Sequence, residues 1–442
     1  MSRNTSPEIT EKTMADLLLQ NARVIDPQNE LDARADIFIS EGKIVSVTKP
    51  GEGGEIPKSC RILDLSGLWL VPGLIDMHVH LREPGEEYKE SIASGAAAAA
   101  AGGFTAVACM PNTSPVNDSQ GITSLILEKA ANVSCRVYPV GCISKGAKGE
   151  ELADFGEMKE AGVVAISDDG LPVVNSQLLK RALEYSANYD LLIISHSEEA
   201  SLSRGGVMNE GEMSVRLGLR GIPTVAESVS VYRDLAVAEY TGRKVHIAHV
   251  STGEAVDLIR RAKAKGCMVT AETAPHYFTL TDKDVGAYDT NAKMNPPLRS
   301  EIDRQAILAG LADGTLDAIA TDHAPHSRLE KEREFDQAAN GIIGLETSLP
   351  LSLELVRQKV VSPTRMVEMM SVNPARILGT QGGSLSAGNP ADVTVIDPEK
   401  SFTYRQEDIQ SKSRNSPFIG QQLTGKAVMT IMGGLITHNE LD

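Results

Sequence analysis

Eight short apolar runs recur through the middle of this sequence, and nothing else in it restricts the fold as much. They lie at about 75–80 (IDMHVH), 104–109 (FTAVAC), 136–142 (RVYPVGC), 162–167 (GVVAIS), 191–196 (LLIISH), 244–250 (KVHIAHV), 267–273 (CMVTAET) and 316–322 (LDAIATD). Helix-like segments separate most of them, at 122–131, 150–161, 177–187, 226–241, 253–265 and 303–312. The runs are near-continuous in apolar residues rather than alternating, the pattern of strands buried on both faces of a parallel sheet. Eight strand–helix repeats is the number that closes a (β/α)8, TIM-type barrel, an α/β fold whose chemistry gathers at the C-terminal ends of its strands.

The two ends of the chain have another texture. Residues 15–73 and 379–442 alternate β-like runs with turns, as in ADIFISEGKIVSV and ADVTVIDP. Neither end is long enough to bury a core alone, so both are expected to meet in one small composite β-sandwich domain. The expected division is 1–14 as a disordered leader with Met14 as an alternative start, 15–73, a catalytic barrel over 74–378, and 379–442.

Composition excludes several classes. Lys and Arg number 43 against 59 Asp and Glu, a net charge of −16 with no basic block, which argues against nucleic-acid binding. A hydrophobic share of 41% suffices for a core, and 4% aromatics with 38 Gly suit tight α/β packing. The cysteines (Cys60, Cys109, Cys135, Cys142, Cys267) are odd in number and never form a CxxC pair, which favours a reducing cytoplasm. The N-terminus lacks the apolar run of a signal peptide. No stretch reaches the roughly 18 apolar residues of a membrane span; Gly95–Met110 comes nearest.

The barrel reading makes a demand on the polar residues, and they meet it. The first strand ends in His78-Val79-His80, the fourth runs into Asp168-Asp169, the fifth ends in His196, the sixth carries His249 and the eighth ends in Asp322. His78 and His80 stand at i and i+2, so both leave one face of the strand and form a pincer for a metal such as zinc. Six imidazoles and carboxylates exceed the needs of one four-coordinate ion. Two metals sharing a bridging carboxylate and a bridging hydroxide account for the count, and such a pair suits hydrolysis of an unreactive amide.

The stretches PGLIDMHVHLREPG (72–85), MPNT (110–113), SDDG (167–170), KMNPPLR (293–299) and ATDHAPHSRLEK (320–331) closely resemble the bacterial class I dihydroorotases of the cyclic amidohydrolase superfamily. The resemblance spans the whole chain, and its DxHxHxR and ATDxAPHx4K signatures are specific. It implies reversible cyclisation of N-carbamoyl-L-aspartate to L-dihydroorotate in de novo pyrimidine synthesis, with two Zn2+ per chain. It implies that His78, His80 and Asp322 hold one metal, that His196 and His249 hold the other, and that Asp169 bridges them. Many relatives bridge with a carboxylated Lys; the fourth strand here has none, since Lys159 lies upstream, so an Asp bridge also fits independently. The choice of Asp169 over Asp168 rests on the resemblance alone. Asp322 is expected to double as the acid–base group.

Arg82 lies two residues past His80, and its planar fork matches a substrate carboxylate. The resemblance adds His80, Asn112 and His326 on the substrate, with Asn295 and the backbone around Asn340-Gly341 for the ring amide. Asn340 departs from the pattern, which has an apolar residue there. The charged segment 327–340 is expected to be mobile and to order over substrate. His246 is expected to face the helices, His323 to point away from the site, and His438 to be incidental; His276 is given no role. A hydantoinase or allantoinase is disfavoured by Arg82 and the missing bridging Lys. A non-catalytic subunit of an aspartate transcarbamoylase assembly is disfavoured because all six ligands are present. The expected partners are the small-molecule substrate, a second copy in a homodimer, and conceivably that transcarbamoylase, with no nucleic acid and no membrane.

Overall fold

The apolar runs become eight parallel strands: β1 (Leu74–Val79), β2 (Phe104–Cys109), β3 (Arg136–Gly141), β4 (Ala165–Ser167), β5 (Leu192–Ser195), β6 (Val245–Ile247), β7 (Val269–Thr273) and β8 (Ala318–Ile319). Each pairs with its neighbour in chain order. The ring closes just beyond the strand ends, where the His80 N–H donates to the His323 carbonyl at 2.8 Å and Val79 bridges His323. This is a computed structural model, and it describes residues 16–54 and 56–441. The leader expected at 1–14 lies outside them.

Both faces of the strands are buried, as the continuous apolar runs require. The interior is filled by small side chains among larger ones, with Ala108, Ala165, Ala248, Ala318 and Ala320 beside Met77, Val140, Leu192 and Ile194. The outer face packs on the helices through Phe104, Ile126, Phe155, Leu179, Val231, Ile259 and Ile307. Each such side chain contributes about 1.5–3 kcal/mol on burial. The helices fall close to their expected places, for example Ser176–Ser186, Val225–Thr241 and Glu301–Ala312.

Both chain ends pair in one hydrogen-bonded sheet. Trp69–Pro72 from the N-terminal part lies antiparallel to Val393–Thr403 from the C-terminal part, with Leu70 opposite Val395. Leu19, Val24, Ile37, Leu70, Val393 and Met429 share one apolar cluster, so each end supplies half of the other's core. Gly73 marks the passage from this sheet into the barrel; a Cβ there would lie 2.2 Å from Thr105 Oγ1. The sheet is fastened to the barrel by Thr394 and Thr430, whose hydroxyls donate to the carbonyls of Gly103 at 2.6 Å and Ala100 at 2.7 Å.

Candidate metal centre

The C-terminal rim of the barrel brings together His78, His80, Asp169, His196, His249 and Asp322, none more than 5% exposed. Strand alternation alone does not deliver them. A register shift between Asp76 and Val79 puts a bulge in β1, and His249 and Asp322 have left-handed backbones, with φ of 34° and 48°. Arg82 shares that conformation at φ 60°. Such backbones cost about 1–3 kcal/mol each in residues other than Gly and persist where the surroundings enforce them.

Three imidazoles are oriented from behind. His78 donates from Nδ1 to Glu272 at 2.8 Å, His80 from Nδ1 to Asn112 Oδ1 at 2.8 Å, and His196 from Nε2 to Glu198 at 3.0 Å. The other ring nitrogen of each is thereby turned inward, the arrangement of metal-ligating histidines. Inward, His78 Nε2 stands 3.3 Å from Asp169 Oδ1, and His80 Nε2 stands 3.1 Å from Asp322 Oδ1. Asp169 Oδ1 also lies 3.6 Å from His196 Nδ1 and 3.5 Å from His249 Nε2, while its Oδ2 lies 3.5 Å from His80 Nε2. Two ligand groups result: His78, His80 and Asp322, and His78, Asp169 and His249, the ligand atoms of each within 4.8 Å of one another.

The donor set fits metal. His78 Nε2 and Asp169 Oδ1 are enclosed yet have no hydrogen-bond partner. Burial works to raise Asp169 and Asp322, but the surrounding histidines outweigh it and hold both below the usual carboxylate range. Burial likewise works to lower His196, but Asp169 and Glu198 hold it up to about 10. The carboxylates thus draw positive charge onto the imidazoles, charge that a divalent cation would bring directly.

Asp168 and Asp169 part company completely. The Asp168 carboxylate accepts from the backbone N–H groups of Ile143 at 2.7 Å and Ser144 at 3.1 Å and from the Ser144 hydroxyl, so it ties down a loop and leaves the centre to Asp169.

Beside the metal ligands lies Arg82, 8% exposed, its Nε donating to the Pro325 carbonyl at 3.2 Å. No carboxylate among the described residues comes within ion-pair distance of it. His326 donates from Nε2 to the Asn340 carbonyl at 2.8 Å; burial first, and then Arg82, Lys89 and Lys331, hold it down to about 3. With Nε2 protonated it cannot accept from Arg82 at 3.4 Å, so the shorter contact to Asn340 is the hydrogen bond. His326 is therefore a neutral group, and Arg82 is the charge. Asn295 donates to Glu198 at 2.9 Å, and Asn112 has its oxygen occupied by His80. The backbone around Asn340-Gly341 is not open: the Gly341 N–H donates to Lys293 O at 2.9 Å, and its carbonyl accepts from Asn415 Nδ2 and Lys331 Nζ.

Two expectations are corrected. His246 does not face the helices. It points into the barrel with Nε2 3.2 Å from Glu272 Oε2 and Nδ1 2.8 Å from Thr270 Oγ1, because the parity count back from His249 fails where that backbone turns left-handed. The 327–340 segment is pinned rather than loose: Arg328–Lys331 is helical, and Lys331, Phe335 and Ala338 are buried. His323 points away from the centre, accepting from the Gly344 N–H at 3.1 Å, and His438 lies in the terminal sheet beside Glu440. His276 is buried with Nε2 unpartnered and is held down to about 4, by burial above all. Sequence reasoning missed Glu272, Glu198 and Asn415. Glu272 stood in the open at the end of the seventh strand and Glu198 two residues past His196, where the rim rule would have caught both; Asn415 carried no local signal.

Residues 67–255 match the dihydro-orotase-like family model. The chain is 59% identical over 418 residues to a dihydroorotase of Desulfotalea psychrophila, covering 95% of this chain and 98% of that protein. It is 55% identical over 423 residues to one from Geotalea daltonii, covering 96% and 99%. Among solved structures it resembles the L-hydantoinase (dihydropyrimidinase) of Arthrobacter aurescens, with a TM-score of 0.86, 25% identity and 97% of each chain covered. The dihydropyrimidinase of Brevibacillus agri, at 22% identity and a TM-score of 0.82, shares the fold. With identity of this degree over nearly its whole length, the chain belongs to the dihydroorotase family.

Proposed function

We propose that this chain is a dihydroorotase that reversibly cyclises N-carbamoyl-L-aspartate to L-dihydroorotate for de novo pyrimidine synthesis. The observation that carries the reading is Arg82, a buried guanidinium without a carboxylate partner among the described residues, set against a cluster of imidazoles and carboxylates. A buried cation is costly unless paired, and a substrate carboxylate supplies the pair. A hydantoin has none to offer.

The metal in this reading is zinc, two ions per chain. His78, His80 and Asp322 would hold one and His196 and His249 the other, with Asp169 across both. When bound, the pair lowers the pKa of water and polarises the ring carbonyl. The chain's own residues do the rest. Arg82 fixes the carboxylate, the neutral His326 adds a hydrogen bond by turning its Nε2–H from the Asn340 carbonyl to the substrate, and Asn112, Asn295 and the Asn340-Gly341 backbone border the ring. A ring amide at Gly341 would exchange one of the bonds now made to Lys293, Lys331 or Asn415. In hydrolysis Asp322 takes a proton from the attacking water and delivers it to the ring nitrogen; in synthesis it takes that proton back from the ureido nitrogen and returns it to the departing water.

Metal analysis combined with turnover of dihydroorotate, hydantoin and allantoin tests this. Two zinc per chain with activity on dihydroorotate alone is the expected result; turnover of hydantoin in preference would sink it. The reading extends to the cytoplasm, in keeping with five unpaired cysteines. It extends also to a homodimer and to association with an aspartate transcarbamoylase, for which the exposed Val225, Val229, Tyr232 and Tyr240 on one long helix offer apolar surface. Light scattering of the chain alone and of a mixture checks both.

A further inference from the structure

Between Val393–Thr403 and Gln422–Met432 the C-terminal part of the sheet sends out a long loop, closed at its neck by Tyr404, whose N–H donates to Gln421 O at 3.0 Å and whose carbonyl accepts from the Gly420 N–H at 2.8 Å. The loop does not hang free. It runs across the barrel mouth as a strap, fastened by the Ser413 hydroxyl donating to Lys89 O at 2.6 Å and by the N–H groups of Lys412 and Gln410 donating to Glu90 at 3.1 Å and Glu346 at 3.0 Å. A cavity of about 610 Å³ opens beside it, with Tyr88, His326, Lys331 and Asn415 in its wall.

Asn415 is the point where the strap meets the substrate side of the mouth. Its side chain is buried and fully satisfied: Oδ1 accepts from the His326 N–H at 3.0 Å, and Nδ2 donates to Ala324 O and Gly341 O, each at 2.9 Å. Its own carbonyl accepts from the Ile343 N–H at 3.0 Å. Only one orientation of the amide satisfies all three side-chain partners, since a flip would set oxygen against two carbonyls. Every partner lies between 324 and 343, the stretch that carries both His326 and Gly341.

We infer that Asn415 is a positioning residue for substrate: it fixes His326 and Gly341 relative to Arg82, so the C-terminal strap sets the affinity of the barrel site through the residues it holds. This rests on the proposed function, in which His326 and Gly341 border the substrate. Removing a buried amide that satisfies three groups is expected to show in KM, because the metal ligands are held by other residues.

The test uses the metal-loaded full chain with Asn415→Ala and the milder Asn415→Ser. Asn415→Ala should raise KM for dihydroorotate about ten- to thirtyfold with kcat within about threefold and zinc content unchanged. Asn415→Ser should move KM the same way by less, and it keeps the test alive should the alanine variant fail to fold. Amide hydrogen exchange over 324–343 should quicken in both while exchange at the strands holding His78 and His196 stays put. Unchanged KM in a folded variant, or a parallel fall of kcat and zinc content, overturns the inference. Exchange needs no substrate, so unchanged protection over 324–343 overturns it too. Failure of the unaltered chain to turn over dihydroorotate counts against the proposed function alone.

Discussion

The two halves of the barrel mouth are built differently. The metal half comes from strand ends, with His78, His80, His196, His249 and Asp322 each within a few residues of a hydrogen-bonded strand. The half to which the proposed function assigns the substrate comes from loops: Arg82 beyond β1, His326 and Gly341 beyond β8, and Asn415 from a strap of the other domain. Rigid strands hold charges that must converge closely, whereas loops held by hydrogen bonds can exchange a partner when a ring enters. Damage to the first half should stop chemistry or strip metal. Damage to the second should weaken binding.

The largest effect is expected from the metal half. Asp322→Asn keeps the shape but removes the proposed proton carrier, so turnover of dihydroorotate should fall by about three orders of magnitude or more in a protein with an unchanged melting temperature. Substantial residual turnover would show that another group carries the proton. Next comes Arg82→Met on the substrate half. It should lower kcat/KM for dihydroorotate about a hundredfold while leaving zinc content intact. An equal loss on a hydantoin, which has no carboxylate, would erase the distinction between the halves.

Glu272→Gln probes the metal half from behind. Glu272 is held down to about 2, since His246 and His78 outweigh its burial, and it fixes the inward nitrogen of His78. Zinc affinity, measured by competition with a chelator, should drop about ten- to a hundredfold. Unchanged affinity would mean that His78 is oriented without it. The smallest expected effect of any substitution is on the equilibrium. Carbamoyl-aspartate is a dianion and dihydroorotate a monoanion, so ring closure takes up a proton and the ratio of product to precursor should rise about tenfold for each unit the pH falls. Neither Arg82→Met nor Asn415→Ala should alter that slope, and a variant that did would be carrying out another reaction.

The acidity of the chain bears on the same division. A net charge of −16 repels a dianion, so attraction must be local, and the structure narrows its source. His326 is neutral where burial and Arg82, Lys89 and Lys331 hold it down. Under the proposed function, Arg82 and the metal centre are left to draw the substrate in.

Most of the metal half could be read without coordinates. Eight apolar runs specify a closed parallel barrel because strands covered on both faces leave few places for polar residues away from the rim, and so His78, His80, His196, His249 and Asp322 declare themselves. Parity counting failed at His246, since a period of two holds only while the backbone stays extended and His249 leaves it. The choice between Asp168 and Asp169 was equally out of reach, as adjacent carboxylates are alike until a loop at Ile143-Ser144 claims one of them.

The sequence by itself determined the repeat, the ligand types and the signature residues, because these follow from local periodicity and from chemistry that a few adjacent side chains express. Only the tertiary structure decided that Glu272 backs His78, that Arg82 lies buried with no carboxylate partner among the described residues, and that Asn415 reaches Gly341 from 74 residues away in the chain. Contacts of such separation leave no periodic trace in a single sequence. They exist only once the barrel has closed and the terminal sheet has docked upon it.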